Sequence, residues 1–232
     1  MKKKKMMRIA SVLLIAVMMS TCAISGTFAK YVTSGDASDS ARVAKWGVEV
    51  TGVGDYFADA YNTDDALYAG AQSVITSGAT DDSLVAPGTS KNGVTTIKIT
   101  GVPEVAARVS VIGDVEIGDK WEDQNGDFYC PIIITIKDND GTVKATIDGK
   151  TYGNANDFEI AVETYINNFS ADYAPNVDLG AEANSAISIS WEWPYYISDD
   201  YDLKDTHLGD EAADGNPATI SISVDCTVTQ ID

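Results

Sequence analysis

Ile220-Ser221-Ile222-Ser223-Val224-Asp225-Cys226-Thr227-Val228-Thr229 alternates apolar and polar residues without a break. Successive side chains of a β-strand point to opposite faces, so this period of two predicts a strand with one dry and one wet face. The same pattern recurs upstream. Ala44, Trp46, Val48 and Val50 alternate with Lys45, Gly47 and Glu49. Val105, Ala107, Val109 and Val111 repeat it, as do Phe128, Cys130, Ile132, Ile134 and Ile136, although Ile133 makes the middle of that strand apolar on both sides. Asp138-Asn139-Asp140-Gly141 reads as a hairpin turn into a strand over 143–147, because Asn and Gly tolerate positive φ. Another strand is expected over 94–100, after the turn at Ala86-Pro87-Gly88. Ile187, Ile189, Trp191 and Trp193 line one face of a late strand, and that register places both tryptophans in the core rather than in an exposed sugar-stacking row. Seven or more strands with one wet face each predict two packed antiparallel sheets.

One segment has a different period. Phe158, Ala161, Val162, Tyr165, Ile166 and Phe169 fall at helical spacing, and Asn156 with Glu159 resembles a capping box. The stripe is read as packing over a sheet, with a partner-binding helix as the alternative. A shorter helical stretch over 57–68 is a weaker expectation. Two long connections remain, residues 51–93 and the acidic segment 195–217, and loops of this length are usually functional. The expected fold is therefore mostly β: an antiparallel two-sheet β-sandwich with one amphipathic helix, long acidic loops and an N-terminal signal helix.

The first thirty residues carry the other strong signal. Lys2, Lys3, Lys4, Lys5 and Arg8 precede an uncharged run over 9–24, and Ser25-Gly26-Thr27-Phe28-Ala29 precedes Lys30-Tyr31. A basic start, a short apolar stretch and small residues at the cut make a secretory signal, with cleavage expected between Ala29 and Lys30. The organisation read from this is a signal peptide over 1–29, a leader over 30–42 and one domain over 43–232. Removing the signal leaves 11 basic against 35 acidic residues, a formal charge of −24 over 203 residues. Such a surface disfavours nucleic acid and anionic membrane as partners. Cys22 leaves with the signal, and Thr21 before it does not suit a lipid-attachment site. Cys130 and Cys226 remain, either as one disulfide or as free buried thiols.

Catalytic motifs are sparse. His207 is the single histidine, no His-Glu-x-x-His motif is present, and no nucleophile elbow occurs, so no enzyme class is indicated. Hard oxygen ligands cluster in 123–127 and at Asp199, Asp200, Asp202 and Asp205, which makes calcium the candidate ion; neither cluster has the register of a twelve-residue calcium loop, and turn chemistry explains them equally well.

The stretch 25–31 resembles the signals cut by SipW-type signal peptidases of Gram-positive bacteria, and Ser40-Ala41-Arg42-Val43-Ala44-Lys45-Trp46-Gly47-Val48 resembles the first mature strand of the TasA/camelysin-like family. Residues 156–173 are similar to that family's helix, and residues 187–194 with Asp205-Thr206-His207-Leu208-Gly209 to a tail found in some of its members. The resemblance implies a jelly-roll sandwich, released by that peptidase, that polymerises into matrix or surface fibres with itself and with other matrix proteins. It also implies that residues 30–40 add as a strand to the next subunit, with Lys30, Tyr31, Val32 and Thr33 leading and Tyr31 and Val32 as anchoring side chains. Rival readings are a cell-surface adhesin that uses segment 195–217 and a camelysin-like metallopeptidase. That peptidase activity is not carried over, because this chain has no zinc motif.

Overall fold

The alternating run near the C-terminus becomes a long strand. In a computed structural model of the chain, the residues described are 41–54, 56–58, 60, 61, 75, 76 and 83–231. The expected signal peptide, its cut at Ala29 and Lys30, and the leader residues through 40 lie outside them. Ala44–Asp232 forms one compact unit.

Within it, β10 (Ile220–Gln230) pairs antiparallel with β5 (Ala107–Ile117) through eleven successive partners and no bulge. β8 (Ala171–Tyr173) joins the other side of β5, completing a three-stranded sheet of order β10-β5-β8. The larger sheet has the order β1-β4-β9-β6-β7, built from β1 (Glu49–Gly52), β4 (Ser90–Thr100), β6 (Ile133–Lys137), β7 (Val143–Asp148) and β9 (Ala186–Glu192). A two-stranded ribbon joins β2 (Ala60–Tyr61) to β3 (Ile75–Thr76). The protein is mostly β with two main antiparallel sheets, consistent with the expected sandwich. Ile134, Ile136, Ile187 and Ile189 from the larger sheet and Val109, Val111, Val115 and Ile117 from the smaller belong to one buried cluster. Among the described residues no helix is long and apolar enough to cross a membrane.

Several boundaries differ from the sequence expectation. The strand expected over 44–50 begins pairing only at Glu49, because Gly47 takes a φ of +54° and turns the chain first. The strand expected from Phe128 begins at Ile133, since Pro131 offers no N–H to a ladder; Cys130 and Ile132 are still buried. Within the stretch read as a weak helix, Ala60 and Tyr61 are extended and paired. Among the described residues there are two α-helices where one amphipathic helix is expected. α1 (Ala155–Asn167) is the expected amphipathic helix, but its cap is Asn154, whose side chain accepts from Asp157 N–H at 2.9 Å. The second, α2 (Asp199–Ala213), occupies most of the segment expected to be an acidic loop.

α1 buries Phe158, Val162 and Ile166 in the core, each worth about 1.5–3 kcal/mol as a fully buried side chain. Its polar side runs along β5 and replaces the strand that would otherwise pair there. Ile117 N–H donates to Glu159 at 2.7 Å, Val115 N–H to Glu163 at 3.1 Å, Gly113 N–H to Asn167 at 2.9 Å and Val111 N–H to Ser170 at 2.9 Å. Four residues of helix rise ~6 Å and two residues of strand ~6.7 Å, so the two repeats stay in step along this short length. The approach is close: a Cβ on Gly113 would stand 2.9 Å from Ile166 side-chain atoms. Glycine is required there.

Candidate functional site

Among the described residues the opposite edge of the same small sheet carries no such cover. Among the described residues β10 pairs on one side only, with β5. Alternate N–H and C=O groups of an edge strand point away from its partner, which makes it a template for another strand. β10 lacks the usual guards against this: no Pro, no Lys, no Gly and no bulge, with Asp225 its single charge. Its inner face is also incompletely covered. Ile222 is buried, but Ile220, Val224, Cys226 and Val228 are only half-buried against the core. Inner-face residues of β5 are sealed by comparison, with Val109, Val111 and Val115 at 1–2% exposure. The other edges are shorter: four residues in β1 and six in β7, the latter carrying Lys144.

At the start of β10 lies a cavity of about 460 Å³, walled by Phe57, Leu84, Trp121, Trp193, Leu208 and Ile220. α2 forms one side of it. That helix has one buried residue, Leu208, and is tied down through polar groups instead. Tyr129 O–H donates to Asp205 at 2.6 Å, Lys204 pairs with Asp123 at 2.8 Å, and the Tyr129 and Tyr201 rings stack at 5.9 Å. Lys204 also sits 5.2 Å above the Tyr129 ring. Trp121 anchors the far wall by donating its indole N–H to the Thr219 carbonyl at 2.7 Å.

Among the described residues lining this cavity, Asp205 has the one ionisable side chain. Burial raises its pKa, while the Tyr129 hydroxyl and the Trp193 indole pull the other way by favouring its charged form. Tyr129 is raised too, by burial and then by the carboxylate it serves, so its proton stays on the phenol. Trp193 is 5% exposed, and its N–H makes no hydrogen bond of acceptable geometry despite lying near Asp205. Asp123 behaves oppositely to Asp205. Lys204 and the N–H groups of Asn125 and Asp127 hold its carboxyl down to about 2.

The residues singled out in the sequence are mostly not brought together. Asp199, Asp200 and Asp202 occupy the first turn of α2, where carboxylates favour the helix N-terminus, and Asp199 accepts from Tyr196 O–H at 3.0 Å. Asp205 lies a turn later, engaged with Tyr129. The 123–127 cluster closes a turn, Asp123 accepting from Asn125 N–H at 2.9 Å and Asp127 N–H at 3.2 Å. Among the described residues no three His, Cys, Asp or Glu are placed to hold a metal ion. His207 is half-buried on α2. Cys130 and Cys226 are both free thiols: burial pushes Cys130 up to about 12, and Cys226 is half-buried on β10 opposite Val111. Trp191 and Trp193 are buried as their register requires, and Trp191 donates to the Tyr56 carbonyl at 2.7 Å. Lys30, Tyr31, Val32 and Thr33 lie outside the described residues. Tyr129, Trp121 and the cavity itself were not anticipated. The faint signal for them was Tyr201, Leu208 and Ala212 at offsets 0, 7 and 11, a helical stripe obscured by acidic neighbours.

No family model, curated protein or solved structure matches the chain.

Proposed function

We propose that this protein is an extracellular structural subunit of jelly-roll type that polymerises into matrix or surface fibres by donor-strand addition. After the signal is removed at Ala29, residues 30–40 of one copy add to the open edge of the next. The observation that supports this most is the one-sided pairing of β10, with its half-covered apolar face. An added strand would satisfy the outward backbone groups and cover Val224, Cys226 and Val228 together. Residues 30–40 are eleven, the length of β10. Head-to-tail addition does not close on itself, so it yields filaments rather than a fixed oligomer. The single charge of β10 also suits the reading, because a charged edge would repel an incoming strand.

The test is electron microscopy of purified chain beginning at Lys30 beside chain beginning at Arg42. Filaments from the first alone are expected. Filaments from neither overturn the fibre reading, and filaments from both overturn the donor-strand mechanism while leaving polymerisation standing.

A further inference from the structure

One face of α2 borders the cavity at the start of β10. Asp205, Leu208, Gly209 and Ala212 fall at helical offsets of 0, 3, 4 and 7, and all four line it. Gly209 is the unusual member. Glycine inside a helix weakens it, and nothing beyond the helix's own backbone stands within 4 Å of where its Cβ would be. Packing therefore does not require glycine at this position; its effect is to leave room. The volume, about 460 Å³, lies within the ~300–1,000 Å³ of small-ligand sites.

The chemistry of an occupant follows from charge. Asp205 is half-buried, so it is not sealed off as the Trp193 indole nitrogen is. Among the described residues no lysine or arginine pairs with it: Lys204 is taken by Asp123 and Lys150 by Asp148, each at 2.8 Å. The Tyr129 hydroxyl that donates to it at 2.6 Å is neutral and fills one of the carboxylate's roughly four lone-pair sites. A carboxylate drawn partly out of water without a counter-ion is unfavourable, and a ligand cation relieves that. The surroundings favour the same sign. α2 carries six carboxylates against one lysine, so cations gather at this helix and anions are repelled. The remaining walls, Phe57, Leu84, Trp121 and Ile220 among them, are apolar and ask for a hydrophobic body behind the charge.

We infer that this cavity binds a small hydrophobic ammonium ion of the arylalkylamine class, its nitrogen at the Asp205 carboxylate and its apolar body against Phe57, Leu84, Trp121 and Ile220. The inference stands whether or not the chain forms fibres.

The test is a titration at pH 7 of chain beginning at Lys30 with three ligands of similar shape: phenethylamine, 2-phenylethanol and 3-phenylpropionate. Tryptophan fluorescence reports it, since Trp121 and Trp193 line the cavity. Saturable binding of the amine ~10-fold tighter than the alcohol is expected, the scale of one hydrogen bond to a charged group, with the carboxylate weakest. No saturable binding overturns the site, and an amine no tighter than the alcohol overturns its preference for a cation. Nα-acetyllysine amide presents the ammonium as a protein side chain does, and binding as tight as phenethylamine would overturn a free amine as the occupant. Two variants then locate the ligand. Asp205→Asn should bring the amine down to the alcohol's affinity, whereas Asp202→Asn, an exposed carboxylate of the same helix, should leave it unchanged; equal losses would reduce the effect to general attraction. Gly209→Leu places a side chain where there is open space, so it should abolish binding of both amine and alcohol without lowering the melting temperature. Binding that survives Gly209→Leu in folded protein overturns the cavity as its place.

Discussion

The two long edges of the β10-β5-β8 sheet solve the same problem in opposite ways. On the β5 side, Glu159, Glu163, Asn167 and Ser170 meet four successive outward N–H groups, and Ile166 packs down to contact distance of Gly113. On the β10 side no described residue does the equivalent, and half of the apolar face stays open. A helix on an edge is a common way to prevent unwanted pairing. One edge is covered, and the other, uncovered among the described residues, is long, regular and nearly uncharged.

The covered edge can be broken most severely through its apolar anchor. Ile166→Ala should cost about 2–5 kcal/mol, measured by urea unfolding, because Ile166 is fully buried and holds the helix against β5. A loss under about 1 kcal/mol would mean that the polar contacts alone keep α1 in place. Next in size is Gly113→Ala. Its Cβ must displace the helix or Ile166, for a cost of about 1–3 kcal/mol, and amide exchange should quicken at Val111, Val115 and Ile117 together.

Removing the polar cover one group at a time is gentler. Asn167→Ala and Glu163→Ala should each lose about 1 kcal/mol and raise exchange at Gly113 and Val115 respectively, the amides they cap. Unchanged exchange at those two amides would reduce α1 to a steric cover.

Exchange also reads the open edge. In monomeric protein the amides of β10 should alternate between slow, where they pair with β5, and fast, where they face outward. Uniformly slow exchange would show that the edge is already occupied, and protection gained on assembly at the fast positions alone would sharpen the contrast.

The smallest effect is that of pH on the tie holding α2 beside the start of β10. The folded-state pKa of Asp123 lies at about 2, below its usual value of 3.8, so its contribution is full above ~4 and lost as pH falls through about 2. Asp205 has the opposite sign: its raised pKa makes the folded state lose stability as pH rises past 3.8. Asp123→Asn should therefore lower the melting temperature at pH 7 and match the unaltered protein near pH 2. An equal deficit at both values would assign the loss to packing and not to the Lys204 pair.

The two helices show what was legible. α1 could be read because its core contact is apolar and repeats at 3.6 residues, although its cap proved to be Asn154 and not Asn156. α2 could not, because it presents little apolar surface. Only Leu208 is buried, Asp210 and Glu211 sit unfavourably near its C-terminal end, and its ties reach Asp123 and Tyr129, about eighty residues away. A window along the chain therefore sees an acidic loop.

The strands divide in the same manner. Alternation alone determined that 220–230 is a strand, which side chains face inward, and that Trp191 and Trp193 belong to the core, since face follows from a period of two. It carries no information about neighbours, because a central strand and an edge strand of an antiparallel sheet share one pattern. That β10 has a single partner among the described residues, that α1 shields β5, and that Trp193 and Asp205 line one cavity were decided by the tertiary structure alone. Each depends on contacts between segments far apart in the chain, and local periodicity does not record such contacts.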